Sequence, residues 1–376
     1  MISVLDEIIG LRTGAPMEID CRNYNRYRVV IEEQDGSKTA YYFSTPVYNN
    51  KTGKLVDMKF HENGGKIYSI GSNASCTFTD HVKMENEEGI CRISLDEPVI
   101  FEGEQAIRCH NHYLHPTLNG FAYQISFEGA SSYSFDMEVE RAFMGVRAND
   151  KCFCLMSEHF RPFVTVSGIG TMDRNGEVIA PAKITYQKLT DRKYRFTVTS
   201  CSPKGRWIWV EINFYEAKLI QDTTVESANP KMNNAFGGTA FIGHTPEFGE
   251  QWLYTRLDFS KMSELTDRRI RSAILHLPTY NQSELKLEAL RLPMLFCSFG
   301  SIWENKIKAA ETISYSERER HYQDVDLTSL LADTRTGNLT RNDGILLRAS
   351  KKQGGFLAIA TGDSYYAPQI YEINYN

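Results

Sequence analysis

The stretch CHNHYLHP, residues 109–116, places one cysteine and three histidines within eight positions, and imidazole nitrogen and thiolate sulfur are the ligands of structural zinc. In an extended strand alternate side chains share a face, so His110 and His112 take one face while Cys109 and Asn111 take the other. Cys152 and Cys154 in KCFCLMSEH share a face by the same alternation. If the two strands are neighbours, His110, His112, Cys152 and Cys154 make a Cys2His2 zinc site. The alternative is that the imidazoles face water and the two thiols fill a sandwich core. The eight cysteines (Cys21, Cys76, Cys91, Cys109, Cys152, Cys154, Cys201, Cys297) include no C-x-x-C pair, so zinc-ribbon spacing is missing. A chain long enough to bury full cores has little need of disulfide staples, and free buried thiols are expected.

Sugar recognition asks for planar aromatic faces to lie against pyranose C–H groups, with polar donors beside them. Trp252, Tyr254 and Arg256 alternate along WLYTRLDF and form such a platform if their face points outward. Tyr365 and Tyr366, in GDSYYAPQ, form a second candidate. The other reading of each is a core or edge aromatic. For catalysis, the chain has no G-x-S-x-G elbow, Walker loop or H-E-x-x-H. FGGTAFIG precedes a strand and not a helix, so it reads as a flexible link and not a phosphate cradle. Asp258, Glu304, Asp324 and Asp326 stand at strand ends, but a glycosidase pair is defined by a separation that spacing in sequence does not set. The expectation is a non-catalytic protein with no catalytic residue and no cofactor.

The elements that would position these residues are strands. Aromatic residues make up 12% of the 376, with 20 Tyr and 20 Phe, a composition that favours sheets. Short apolar runs such as YRVVIEE, TAYYFST, FAYQISFEG and RWIWVEINF recur between Gly, Asn and Asp, the signature of an all-β chain. Asp35-Gly36 and Asn175-Gly176 read as hairpin turns. Helical pattern is confined to MISVLDEII, SELTDRRIR, NKIKAAETI and LTSLLADT, with Gly337 placed to stop the last. The length suits two or three domains, and the Pro-, Asn- and Gly-rich stretch SANPKMNNAFGGTAFIG, residues 227–243, reads as the lead-in to a second one. The expected division is 1–226, a β-rich region that is itself composite, and 227–376, a second β-sandwich. A formal charge of -5 without a basic block argues against nucleic acid. No apolar run reaches the length of a membrane span, so no membrane insertion is expected. MISVLDEIIGLRTG carries acids where a signal peptide needs bases, so it is not expected to direct export.

In the second half, WLYTRLDFSKM, RRIRSAILHLPTY, Trp303-Glu304, DVDLTSLL, NDGILLRAS and APQIYEINY follow one another in an order that resembles DNRLRE-type domains, from about 229 to 376. These are carbohydrate-binding-module-like jelly rolls of secreted and wall-associated bacterial proteins. TAYYFSTPVYNNKTGKLVDM, GGKIYSIGSNASCTFTD and the segment from RPFVTV to GRWIWV resemble the region that precedes such domains in wall-associated Rhs-repeat proteins. The resemblance implies tandem β-sandwiches with a C-terminal jelly roll, and Trp303 as a core anchor in a packed hairpin turn; Trp207 is read as a core anchor as well. It implies a structural or adhesive role in a bacterial surface, extracellular or phage-like assembly, through self-assembly or another surface protein. The alternative it implies is a carbohydrate-binding module that recognises a cell-wall or extracellular polysaccharide.

Overall fold

The computed structural model describes residues 23–376 apart from 128–131, 142–144, 158–159, 259–261, 309–310, 334, 338, 341–342 and 351–353. Among the described residues the strands form four antiparallel sheets of six, nine, eight and seven strands, and the one α-helix, Thr328–Leu331, is a single turn. The chain is all-β, as its alternating runs imply. The chain falls into two compact units, one made of Val47–Ala217 with Phe236–Thr239, the other of the described residues up to Pro46 with Lys218–Ala235 and Ala240–Asn376.

In the first unit the eight-stranded sheet is a meander from His61–Asn63 to Gly89–Ser94, extended by Ser132–Val139, Lys193–Ser200 and Ala182–Lys188. Its strands alternate as a half-covered sheet must: Val82 and Met84 face Ile93 and Cys91 across one ladder, and all four are buried. The nine-stranded sheet is centred on Pro162–Met172, Trp207–Phe214 and Gly120–Ser126. Side chains of both sheets, Phe78, Phe135, Phe196, Phe121, Phe153 and Val210 among them, make one continuous core. Phe153 meets Phe196 edge-on at 4.8 Å and Phe135 stacks on Phe196 at 5.4 Å, so the two layers interlock as a sandwich.

The second unit pairs the six-stranded sheet with the seven-stranded one over a core of Ala40, Tyr42, Leu253, Leu275, Leu347 and Ile373. The boundary expected at 226/227 is corrected here. The hairpin Arg28–Glu32 and Lys38–Phe43 adds to the last strand of the chain, with Lys38 opposite Tyr375 and Phe43 opposite Ile370. Strand Ile220–Glu226 pairs along Gly249–Leu257. Strand pairing depends on backbone hydrogen bonds and on burying Ala40 and Tyr42, not on distance along the chain, so composition alone misplaces the boundary. The supposed flexible link is also corrected: Ala235, Phe236 and Thr239 are buried, and the Gly238 N–H donates to Ser167 Oγ at 2.6 Å.

Both hairpin turns form, with Gly36 at φ 80° and Gly176 at φ 81°, backbone that a side-chain-bearing residue adopts only under strain. Of the helical patterns, SELTDRRIR gives a 3-10 turn at Ser263–Leu265 and LTSLLADT gives Thr328–Leu331. That helix ends at Leu331, with Gly337 in the following turn at φ 73°. Among its described residues NKIKAAETI gives no helix: its last residues belong to strand Glu311–Tyr315, which pairs with Leu287–Arg291. MISVLDEII and Cys21 lie outside the described residues.

Candidate functional site

The histidine cluster folds as a hairpin and not as one strand. Strand Ile107–Cys109 turns at His110-Asn111 and returns as His112–Pro116, with Cys109 opposite His112. His110 sits in that turn at φ 53°, exposed, with Nδ1 3.1 Å from Glu97. His112 is buried and accepts the Ser126 N–H on Nδ1 at 3.0 Å. Burial holds its pKa below the usual histidine value, against the pull of Asp96. His115 stacks on Trp209 at 4.7 Å and shares hydrogen bonds with Gln105 O and Gln124 Oε1. Cys152 and Cys154 lie on Cys152–Met156, and three strands separate it from His112–Pro116 in the sheet order. Four steps of about 4.8 Å put the two strands roughly 19 Å apart, so the structure does not bring the four proposed zinc ligands together. Among the described residues no group of three or more His, Cys, Asp or Glu side chains is arranged to hold a metal. The thiol expectation fares better: five of the seven described cysteines are buried, while Cys201 is half-buried and Cys297 exposed.

The aromatic candidates separate in the same way. Trp252, Tyr254 and Arg256 do share a face of Gly249–Leu257, since Leu253 and Leu257 point into the main core. That face, however, carries a small second cluster of its own, formed with Val225, Leu290, Leu292, Phe296 and Leu346. Tyr254 is fully buried in it, stacked on Phe296 at 5.7 Å and donating its hydroxyl to Ile307 O at 3.1 Å. Tyr254 is therefore no platform. Arg256 is half-buried beside Gln221 at 3.3 Å. Tyr365 is buried beneath the Lys218 ammonium, 3.5 Å from its ring centre, while Tyr366 is half-buried. Trp207, expected in the core, is half-buried at the start of its strand; Trp209, two residues on, is the buried one.

Trp252 itself remains half-buried, and Trp303 packs on it at 5.0 Å with a 53° tilt. Trp303 is thus only partly the core anchor expected of it. Polar groups ring the pair. Trp252 Nε1 donates to Glu250 at 2.9 Å. Lys306 Nζ lies 4.3 Å from the Trp303 ring and 5.8 Å from that of Trp252, within cation–π range. The Arg348 guanidinium, 6.0 Å from Trp252, is held by Glu288 at 2.9 Å across the ladder. Indole faces with carboxylate, ammonium and guanidinium neighbours are the groups that stack on sugar rings and bond their hydroxyls. Sequence reasoning missed Lys306 and Arg348 as partners of this patch. The signal for Arg348 was the pairing of Leu253 with Leu347, which no local pattern encodes.

Several carboxylates are held by other groups. Asp324 joins Glu372 around His276, at 2.8 and 3.2 Å from its two ring nitrogens. Asp222 is buried, and its pKa stands well above the carboxylate range because burial and the nearby Asp363 charge outweigh the Gly362 N–H and Lys218. It ties the loop after Phe356–Ala360 to strand Ile220–Glu226. In the first unit a cleft of about 720 Å3 is lined by Asn49, Asn73, Glu85, Glu88 and Arg141, among others. Glu85 is held below its ordinary pKa by its hydrogen bond to Lys83, so it is an anion and not a proton donor. Glu87, Glu88 and Glu140 are exposed.

No protein-family model matches the chain, and no curated protein matches it. No helix among the described residues is long and apolar enough to cross a membrane.

Proposed function

We propose that the chain is a non-catalytic adhesive protein, a subunit of a bacterial surface, extracellular or phage-like assembly, whose second unit meets polysaccharide through Trp252 and Trp303. The observation that carries this reading is the half-buried indole pair with Glu250, Lys306 and Arg348 around it. Arg348 is fixed by Glu288, and Glu288 by the Thr312 hydroxyl at 2.6 Å, so the polar rim is pre-organised and little ordering entropy is lost on contact. The indoles offer apolar faces to ring C–H groups, Glu250 accepts from hydroxyls, and the two cations donate. The DNRLRE-like order of segments points the same way. Native gel electrophoresis through a panel of neutral and acidic polysaccharides tests it: retardation in at least one polymer is expected, and free migration through all of them would count against the reading.

A further inference from the structure

The segment LPMLFCSFG, residues 292–300, follows Leu287–Arg291 and leads to Trp303. Leu292 and Phe296 are buried in the small cluster with Tyr254. Met294, Leu295 and Phe299 turn outward and are 59%, 46% and 50% exposed. Single exposed apolar side chains are ordinary on a protein surface, whereas three within six residues mark a contact. The loop holds this form through its backbone. Asn233 Nδ2 donates to Ser298 O at 2.7 Å and to Ser301 O at 2.9 Å, and the Gly300 and Ser301 N–H groups donate to Cys297 O.

The surroundings are cationic. Lys231 is exposed next to Pro230, whose carbonyl accepts the Glu304 N–H at 3.1 Å. Lys308 is exposed next to Ile307, whose carbonyl accepts the Tyr254 hydroxyl. With Lys306 they outnumber the two exposed acids nearby, Glu304 of the same turn and Glu250 on Trp252. A second copy of the chain seated on this loop by a two-fold axis would bring the lysines of both copies together, which opposes that contact. A hydrated glycan would leave Met294, Leu295 and Phe299 in water. An anionic apolar interface satisfies both features.

We propose that this loop seats in the interface of an anionic lipid bilayer, with Met294, Leu295 and Phe299 at the acyl boundary and Lys231 and Lys308 on the headgroups. The contact is peripheral, an element lying on the bilayer and not crossing it. It uses side chains other than the two indoles and goes beyond the glycan reading of Trp252.

Co-sedimentation of the full chain with vesicles of phosphatidylcholine, with and without phosphatidylserine, tests the proposal. The chain is expected to pellet with the anionic vesicles and less with the neutral ones, and added salt should weaken the binding. Met294→Ser, Leu295→Ser and Phe299→Ser together should weaken it about 100-fold, from three half-exposed side chains. Lys231→Gln with Lys308→Gln should weaken it roughly 25-fold, about 5-fold for each charge at an anionic surface. All five positions are on the surface, so the variants should melt as the parent does. Failure to pellet with either vesicle, or pelleting unchanged in the triple serine variant, overturns the proposal. A dimer seen by light scattering that the serine variant or Cys297→Ser abolishes would assign the loop to a second copy instead, and would also overturn it.

Discussion

Replacing His276 with glutamine should erase a pH dependence that the folded protein owes to one imidazole. His276 lies on Ile270–Pro278 with its side chain 13% exposed, Nδ1 2.8 Å from Asp324 and Nε2 3.2 Å from Glu372. Burial disfavours the imidazolium, but the hydrogen bonds and charges of the two carboxylates outweigh it and raise the pKa from 6.5 to about 9. The folded value is above the unfolded one, so the stabilisation is complete below about pH 6.5. It falls as pH rises through about 9, where folded His276 releases its proton. The difference between those values corresponds to roughly 3 kcal/mol. Urea unfolding of the parent and of His276→Gln, followed by tryptophan fluorescence across that window, measures it. The variant should be less stable by roughly 3 kcal/mol or more at the acid end, where it also leaves Asp324 and Glu372 facing each other without a cation. The gap should narrow steadily toward alkaline pH. A gap that stays constant from about pH 6.5 to 9 would refute the reasoning.

Three further outcomes follow from the same structure. Chelator should leave the melting temperature unchanged, and purified protein should hold no zinc; stoichiometric zinc lost on His112→Ala would contradict the placement of Cys152 and Cys154 three strands away. Thiol labelling of the native protein should reach exposed Cys297 first, while Cys76, whose pKa burial pushes up to about 12, and Cys91, raised further by burial, should react only on unfolding; mass spectrometry of the labelled peptides distinguishes them. Gly120→Ala would place a methyl group 2.2 Å from Ile212 O, a backbone atom that cannot swing aside. It should cost about 3 kcal/mol, and a thermal melt like the parent's would refute the close approach of Gly120–Ser126 to Trp207–Phe214.

The class of fold is written locally, in alternation and turn chemistry, and for that reason it is legible. Val82, Met84, Cys91 and Ile93 can be assigned to a core face without knowing what they meet, and Asp35-Gly36 and Asn175-Gly176 can be assigned to turns. What alternation does not encode is which strands are neighbours. The zinc reading needed Cys152–Met156 beside His112–Pro116, and the domain boundary needed Lys38–Phe43 to stay with the residues that follow it. Both depended on long-range pairing, and both failed. The strand rule also failed at His110, because a two-residue turn with His110 at positive φ leaves the same apolar and polar spacing as a continuous strand. For the aromatic platform, the shared face of Trp252, Tyr254 and Arg256 was legible. Its covering by Leu292, Phe296 and Trp303 was not, since that segment has no period of its own and is held by Asn233 from a distant turn.

We propose that the protein works by surface contact through the Trp252 and Trp303 indoles. Affinity electrophoresis of the parent beside Trp252→Ala, in the polysaccharide that retards the parent most, tests it directly, with melting temperatures taken on the same samples. The expected result is a folded variant that runs as it does in a polymer-free gel. A folded variant retarded as strongly as the parent would contradict it.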